Sequence, residues 1–302
     1  MSAIQGEASV ARRIVGRRSR GERVRGQLFQ AGLLASVLLA LLALTLLIVD
    51  VIVDGGSKLS WEFLTNFPSR VRPETAGVES AIVGTLYLMG LVAVFIVPVG
   101  VATALYLEEY ADGERWWNRL IDLNIQNLAA VPSVVYGILG LAFIVRSPLN
   151  LGPVLLAGAL TLGLLVLPVV IIVAREAIRA VPPSIREGSM ALGATQWQTI
   201  WKQVLPGALP GIATGVILAL SRAIGETAPL IVIGAALFAR FNPESVTDSR
   251  FTALPLQIFS FISDPSDEFR SLGAAAILVL LGILVLMNSV AIVLRNRYEQ
   301  KW

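Results

Sequence analysis

The sequence predicts an all-α integral membrane protein with six transmembrane helices. Of its 302 residues, 55% are hydrophobic and only 15% charged, with a mean hydropathy of +0.74. A soluble domain carries about a quarter charged residues, and a disordered chain is far more polar. The apolar residues are also gathered into six long runs, and a spanning helix needs about 20 such residues. A soluble core helix is rarely apolar on every face over that length. Finally, the basic residues are distributed unevenly between the connections.

The chain opens on a basic tail, 1–27. Leu28 to Val53 follows, broken only by Gln30, Ser36, Thr45 and Asp50. It resembles a signal peptide in its basic flank, but it is too long and has no small-x-small cleavage pattern before Asp50, so a retained helix is expected. The second run is Val78 to Leu107, with Pro98 inside. The third is Leu128 to Val145. The fourth, Val154 to Ala174, has no charge. The fifth, Gly207 to Phe238, contains Arg222 and Glu226. The sixth is Leu272 to Leu294, before a short tail, 295–302.

With a cytoplasmic N-terminus, the inside segments are 1–27, 108–127, 175–206 and 295–302. They hold 16 of the 24 basic residues, seven lie outside, and Arg222 lies within a span. The positive-inside rule then supports six helices with both termini on the cytoplasmic side. Nucleic-acid binding by the basic tail is the competing reading, but attraction to anionic lipid explains the tail without it. Two connections, 54–77 and 239–271, fall outside. The apolar stretch Phe251 to Phe261 is expected either at the interface or packed on the span ends.

Composition removes several chemistries. Cysteine and histidine are absent, which excludes disulfides, thiol nucleophiles, Ser-His-Asp hydrolysis and His- or Cys-based metal sites. Lysine occurs only at Lys58, Lys202 and Lys301, never after glycine. No P-loop is therefore present, no cofactor or metal is implied, and any ATP would be hydrolysed on another chain.

Two constellations carry the functional argument. In the fifth run, Gly207, Gly211 and Gly215 repeat every fourth residue, a close-packing face for another helix. Arg222 and Glu226 are four apart and would pair on one face. A charge in mid-bilayer costs about 2.5–3.5 kcal/mol, so it is expected on a polar path, where the guanidinium fork suits phosphate. A purely structural pair is the equal alternative on spacing alone. Gly225 and Pro229 would share the stripe with Arg222, Gly225 admitting another backbone and Pro229 freeing a carbonyl. Weaker candidates for an oxyanion are Ser221 and Thr227, with Thr85, Tyr87, Ser133 and Tyr136; each is more readily a helix-to-helix hydrogen bond. Glu108, Glu109 and Asp112 read as a solvated face, and Trp116, Trp117, Trp197 and Trp201 as a headgroup belt.

The second constellation lies between runs four and five, in a loop over 182–206. Pro182 and Pro183 end the preceding helix. Ser184 to Glu187 has the form of a capping box, Gly193 suits a left-handed stop, and Thr195 to Gln198 forms a second box. Glu187, a glycine six residues on at Gly193, and Leu205-Pro206 twelve residues later resemble the Glu-Ala-Ala loop of ABC importer permeases. Gly188 and Ser189 stand where that family has alanines, and Gln203 where isoleucine is usual. Arg222-Ala-Ile-Gly-Glu-Thr-Ala-Pro-Leu230 is similar to the signature of the PstA-type permeases of phosphate ABC importers. Ala81–Tyr87, Tyr106–Ala111, Val131–Gly137 and Ala253–Phe259 are similar too, so the resemblance covers about 78–294.

The resemblance implies a type I ABC importer permease of the MetI-like fold, moving phosphate by alternating access. It implies a second phosphate permease subunit, a cytoplasmic ABC ATPase dimer and an extracytoplasmic phosphate-binding protein as partners, within the lipid of a bacterial plasma (inner) membrane. It puts Glu187, Leu192, Gly193 and Ala194 at the ATPase contact, and Arg222, Glu226, Thr227 and Ser221 on the substrate path. Alternatives are the sister phosphate permease, a sulfate or molybdate permease, a secondary carrier, or a signalling scaffold.

Overall fold

The computed structural model describes residues 20–298, whose regular elements are all helices, joined by irregular connections and by an isolated bridge between Val154 and Arg250. Arg12, Arg13, Arg17, Arg18 and Lys301, counted above as inside charges, lie outside the described residues. The chain divides into two units at Val51 and Ile52. The first is the greater part of α1 (Arg20–Gly56), whose leucines are exposed on all sides, as a lipid-facing span would be.

The second unit is the bundle. Its elements are α2 (Trp61–Thr65), α3 (Glu79–Leu105), α4 (Trp116–Ala129), α5 (Ser133–Leu139), α6 (Leu155–Arg179), α7 (Pro183–Ala191), α8 (Gln196–Thr199), α9 (Leu205–Ala223), α10 (Ala228–Val232), α11 (Leu254–Ile262) and α12 (Asp267–Tyr298). Wider π-helical turns extend α3 over Tyr106–Tyr110 and α5 over Gly140–Arg146, and join α8 to α9 over Ile200–Val204. Five helices in the described residues are long and apolar enough to cross a membrane, and a sixth span exists if α4 and extended α5 count as one.

That pair corrects the expected third span. Instead of a straight helix over Leu128 to Val145, α4 and α5 meet at 109°. Pro132 forces Val131 away from helical geometry and opens the next helix instead. Much of the segment read as a cytoplasmic loop, 108–127, is thereby helical.

At the centre, α6 packs against α3 on one side and α9 on the other. Small residues let the backbones close in: a Cβ on Gly211 would lie 2.6 Å from Ala177 Cβ, and one on Gly215 2.5 Å from Val173 Cγ1. The glycine face read from the sequence thus meets α6. The Phe251 to Phe261 stretch packs into the bundle over 251–257 and at Phe261, and leaves Phe259 exposed. Phe251, Leu254 and Leu256 are fully buried, and the Phe251 ring fills the space a side chain at Gly158 would need. The Leu254 amide donates to Thr85 Oγ1 at 2.8 Å, so Thr85 serves a helix-to-segment bond. Gly84 allows this, because a Cβ there would overlap the Thr252 carbonyl. Overpacking of this kind costs about 1–3 kcal/mol. Gly84→Val is therefore expected to lower the thermal midpoint of the solubilised chain by several degrees, and an unchanged midpoint would refute this packing.

Candidate functional site

The fifth run is not one span. α9 stops at Ala223 and α10 begins at Ala228, because Pro229 has no N–H to donate to Gly225 and would clash if the helix continued. Arg222 therefore stands in the last turn of α9, about 25 Å along the axis from Leu205 at 1.5 Å per residue, rather than at the middle of a continuous helix. Glu226 lies in the break. The stripe through Gly225 does not admit a neighbouring backbone, since only the Arg222 carbonyl lies within 4 Å of a Cβ built there. The close approach occurs at Gly137 of α5, where a Cβ would lie 2.7 Å from Pro229 Cα.

Arg222 and Glu226 do meet, Nε to Oε1 at 3.6 Å. That is long for a charge-assisted hydrogen bond, which falls near 2.7–2.9 Å. The Arg222 side chain is 47% exposed and that of Glu226 19%, and no hydrogen bond from the guanidinium forms among the described residues. Its terminal nitrogens are thus open to a ligand. The Thr227 hydroxyl is likewise uncommitted among the described residues. Ser221 is different: its hydroxyl lies 2.7 Å from the Ile217 carbonyl and donates to Asn288 Oδ1 at 2.6 Å, tying α9 to α12. Tyr136 donates to the Leu128 carbonyl at 2.9 Å.

The second site is the turn between α7 and α8. Gly193 has φ +87°, the left-handed stop expected of it, and the Thr195–Gln198 box forms with both bonds present. The Ser184 box does not form. α7 starts at Pro183 with Pro182 as its cap, and no side chain caps it, because proline already supplies the first-turn geometry and has no N–H to satisfy. At Pro206 the helix continues without a break, and 196–223 runs on as one helical stretch through its π-turn. At the tip, Leu192 is 91% exposed, Glu187 is exposed and forms no bond among the described residues, and Ala194 lines a mixed cleft of ≈ 460 Å³ with Ser184, Leu192 and Lys202.

Glu108 and Glu109 are not a solvated face. Glu108 accepts from Arg179 at 2.9 and 3.0 Å and lies 3.5 Å from Arg175, which also pairs with Asp122. Glu109 accepts from Arg186 at 2.8 and 3.1 Å. Only Asp112, paired with Arg115 at 3.3 Å and half exposed, fits the surface reading. Arg175, Arg179 and Arg186 stand 66–78 positions after the two glutamates in the chain. The spacing did not show that their helix ends meet.

With this geometry in place, the known family described as the binding-protein-dependent transport system inner membrane component matches residues 96–301. The chain belongs to this family. The permease is 33% identical over 229 residues to the phosphate transport system permease protein PstA 1 of Mycobacterium tuberculosis (strain CDC 1551 / Oshkosh), covering 74% of this chain and 73% of the relative. It is 30% identical over 266 residues to the phosphate transport system permease protein PstC of Pasteurella multocida (strain Pm70), covering 79% of each. Its fold is similar to that of a bacterial alginate ABC transporter crystallised with an alginate pentasaccharide-bound periplasmic protein, at a TM-score of 0.65 and 18% identity over 91% of this chain and 96% of that one. It is a membrane-embedded permease of a type I ABC importer, not an enzyme.

Proposed function

We propose that this permease forms half of the translocation path of an ATP-driven inorganic phosphate importer. The observation that carries the reading is Arg222, a guanidinium at the end of a bundle helix whose carboxylate partner stands 3.6 Å away and leaves the fork free. A tetrahedral oxyanion takes two parallel N–H donors from such a group. Glu226 serves as the resident counter-charge when the path is empty, Thr227 adds a hydroxyl, and Ser221 holds α12 against the wall. The PstA and PstC relatives support phosphate as cargo.

In this reading the α7–α8 turn faces the cytoplasm, where Glu187, Leu192, Gly193 and Ala194 dock on an ABC ATPase dimer. A second phosphate permease completes the path, and a phosphate-binding protein delivers cargo at the opposite face. Both termini are cytoplasmic. ATP closes the ATPase pair, the turn moves with it, the path opens outward, and hydrolysis returns it inward.

The test is uptake into vesicles holding the assembled complex. ATP-dependent phosphate entry is expected, competed by arsenate and not by sulfate. Entry without ATP would make this a carrier, and competition by sulfate would change the cargo.

A further inference from the structure

We infer that the Arg186–Glu109 ion pair is the joint through which motion of the ATPase-docking turn reaches the transmembrane bundle, with Glu108 acting as the clamp that makes α3 and α6 one lever. The inference rests on the proposed function for its transport consequence, but the joint itself is a structural claim.

α7 needs an external anchor. At nine residues it is too short to hold a helix in water unaided, and none of its residues is buried. Ile185 packs against the cluster that holds Ile178, Val181 and Val204, Ser189 and Thr199 pair their hydroxyls at 2.9 Å, and the remaining anchors are charged. Arg186 donates to Glu109 Oε1 through two nitrogens, at 2.8 and 3.1 Å, to the Val181 carbonyl at 2.6 Å and to the Ile178 carbonyl at 2.9 Å. One side chain thus ties α7 to the end of α6 and to the π-turn that ends α3. From the far side of the turn, Gln196 donates to the Glu109 backbone carbonyl at 2.7 Å. Both limbs of the turn therefore converge on residue 109. Glu109 is only 9% exposed and Arg186 20%, so the pair is shielded and directional, unlike a surface ion pair.

Glu108, the adjacent residue, pairs with Arg175 and Arg179 of α6 at the same level. Displacing α7 then moves the ends of α3 and α6 together, and those two helices pack against each other through the bundle core. The two π-turns, at Tyr106–Tyr110 and Ile200–Val204, stand where the lattice meets the spans, a common position for such turns at working parts of a protein.

Two measurements test this. In the full chain in detergent, E109Q is expected to speed amide exchange across 183–191 by about tenfold or more while leaving 155–174 unchanged; unchanged exchange across 183–191 overturns the joint. In the assembled complex, E109Q is expected to keep the ATPase bound and hydrolysing while phosphate imported per ATP falls about tenfold, with E109D recovering part of it. Normal coupling by E109Q, or loss of the ATPase on purification, overturns the inference. A wild-type complex without ATP-driven uptake would refute the proposed function instead, and the exchange measurement would still decide the joint.

Discussion

Replacing Arg222 by glutamine is expected to reduce phosphate uptake by about 10–100-fold while the complex still assembles. A hydrogen bond to a charged group contributes about 1.5–3 kcal/mol, and each 1.4 kcal/mol is a factor of ten. Assembly is spared because the guanidinium's one ion pair among the described residues is long, at 3.6 Å, and the side chain is half exposed, so little packing depends on it. Lysine at 222 keeps the charge but not the fork, and is expected to fall between wild type and glutamine. Glu226→Gln should act in the other direction on binding. With its counter-charge removed, Arg222 is expected to hold the anion more tightly and release it more slowly, so the apparent KM and the maximal rate fall together. Wild-type uptake by R222Q in an assembled complex would leave the pair a packing device only.

Leu192→Asp is expected to weaken ATPase association by about 10–100-fold and to abolish uptake. Leu192 is 91% exposed at the tip of the turn, so its own chain gains nothing from it, and substitutions at such sites usually change stability by less than about 0.5 kcal/mol. Burial of a leucine in a partner contributes about 1.5–3 kcal/mol, and a carboxylate there loses that and adds a desolvation cost. Co-purification of the ATPase with the variant reads the first effect and vesicle uptake the second. Full retention of the ATPase would remove Leu192 from the contact. The neighbouring Gly193 is constrained differently: its φ of +87° disfavours any side chain, so a defect there would report the turn and not the interface.

Much of the site was legible from single residues. A left-handed turn needs glycine, so Gly193 could be read. The Thr195–Gln198 box is a local bond pattern, so it could be read too. Where proline was involved the reading was less secure. Pro132 bent the third span, Pro183 displaced the Ser184 box, and Pro229 with Gly225 broke the fifth, because each removes a donor or a rotation whose effect depends on what packs nearby. Glu108 and Glu109 were read as solvated because charges at the end of a span usually are. Their burial depends on Arg175, Arg179 and Arg186, 66–78 positions later in the chain.

The sequence by itself determined that the chain lives in a membrane, that it carries no histidine, cysteine or P-loop chemistry, and where the turn at Gly193 and the Arg222–Glu226 pair lie. These follow from composition and from patterns within a few residues. Only the tertiary structure decided that 251–257 is buried, that Ser221 is committed to Asn288 and Arg222 is not, and that Glu109 anchors α7. Each of those depends on which distant backbones approach closely, and a close approach is set by the small residues of both partners at once, such as Gly84 against Thr252 or Gly137 against Pro229.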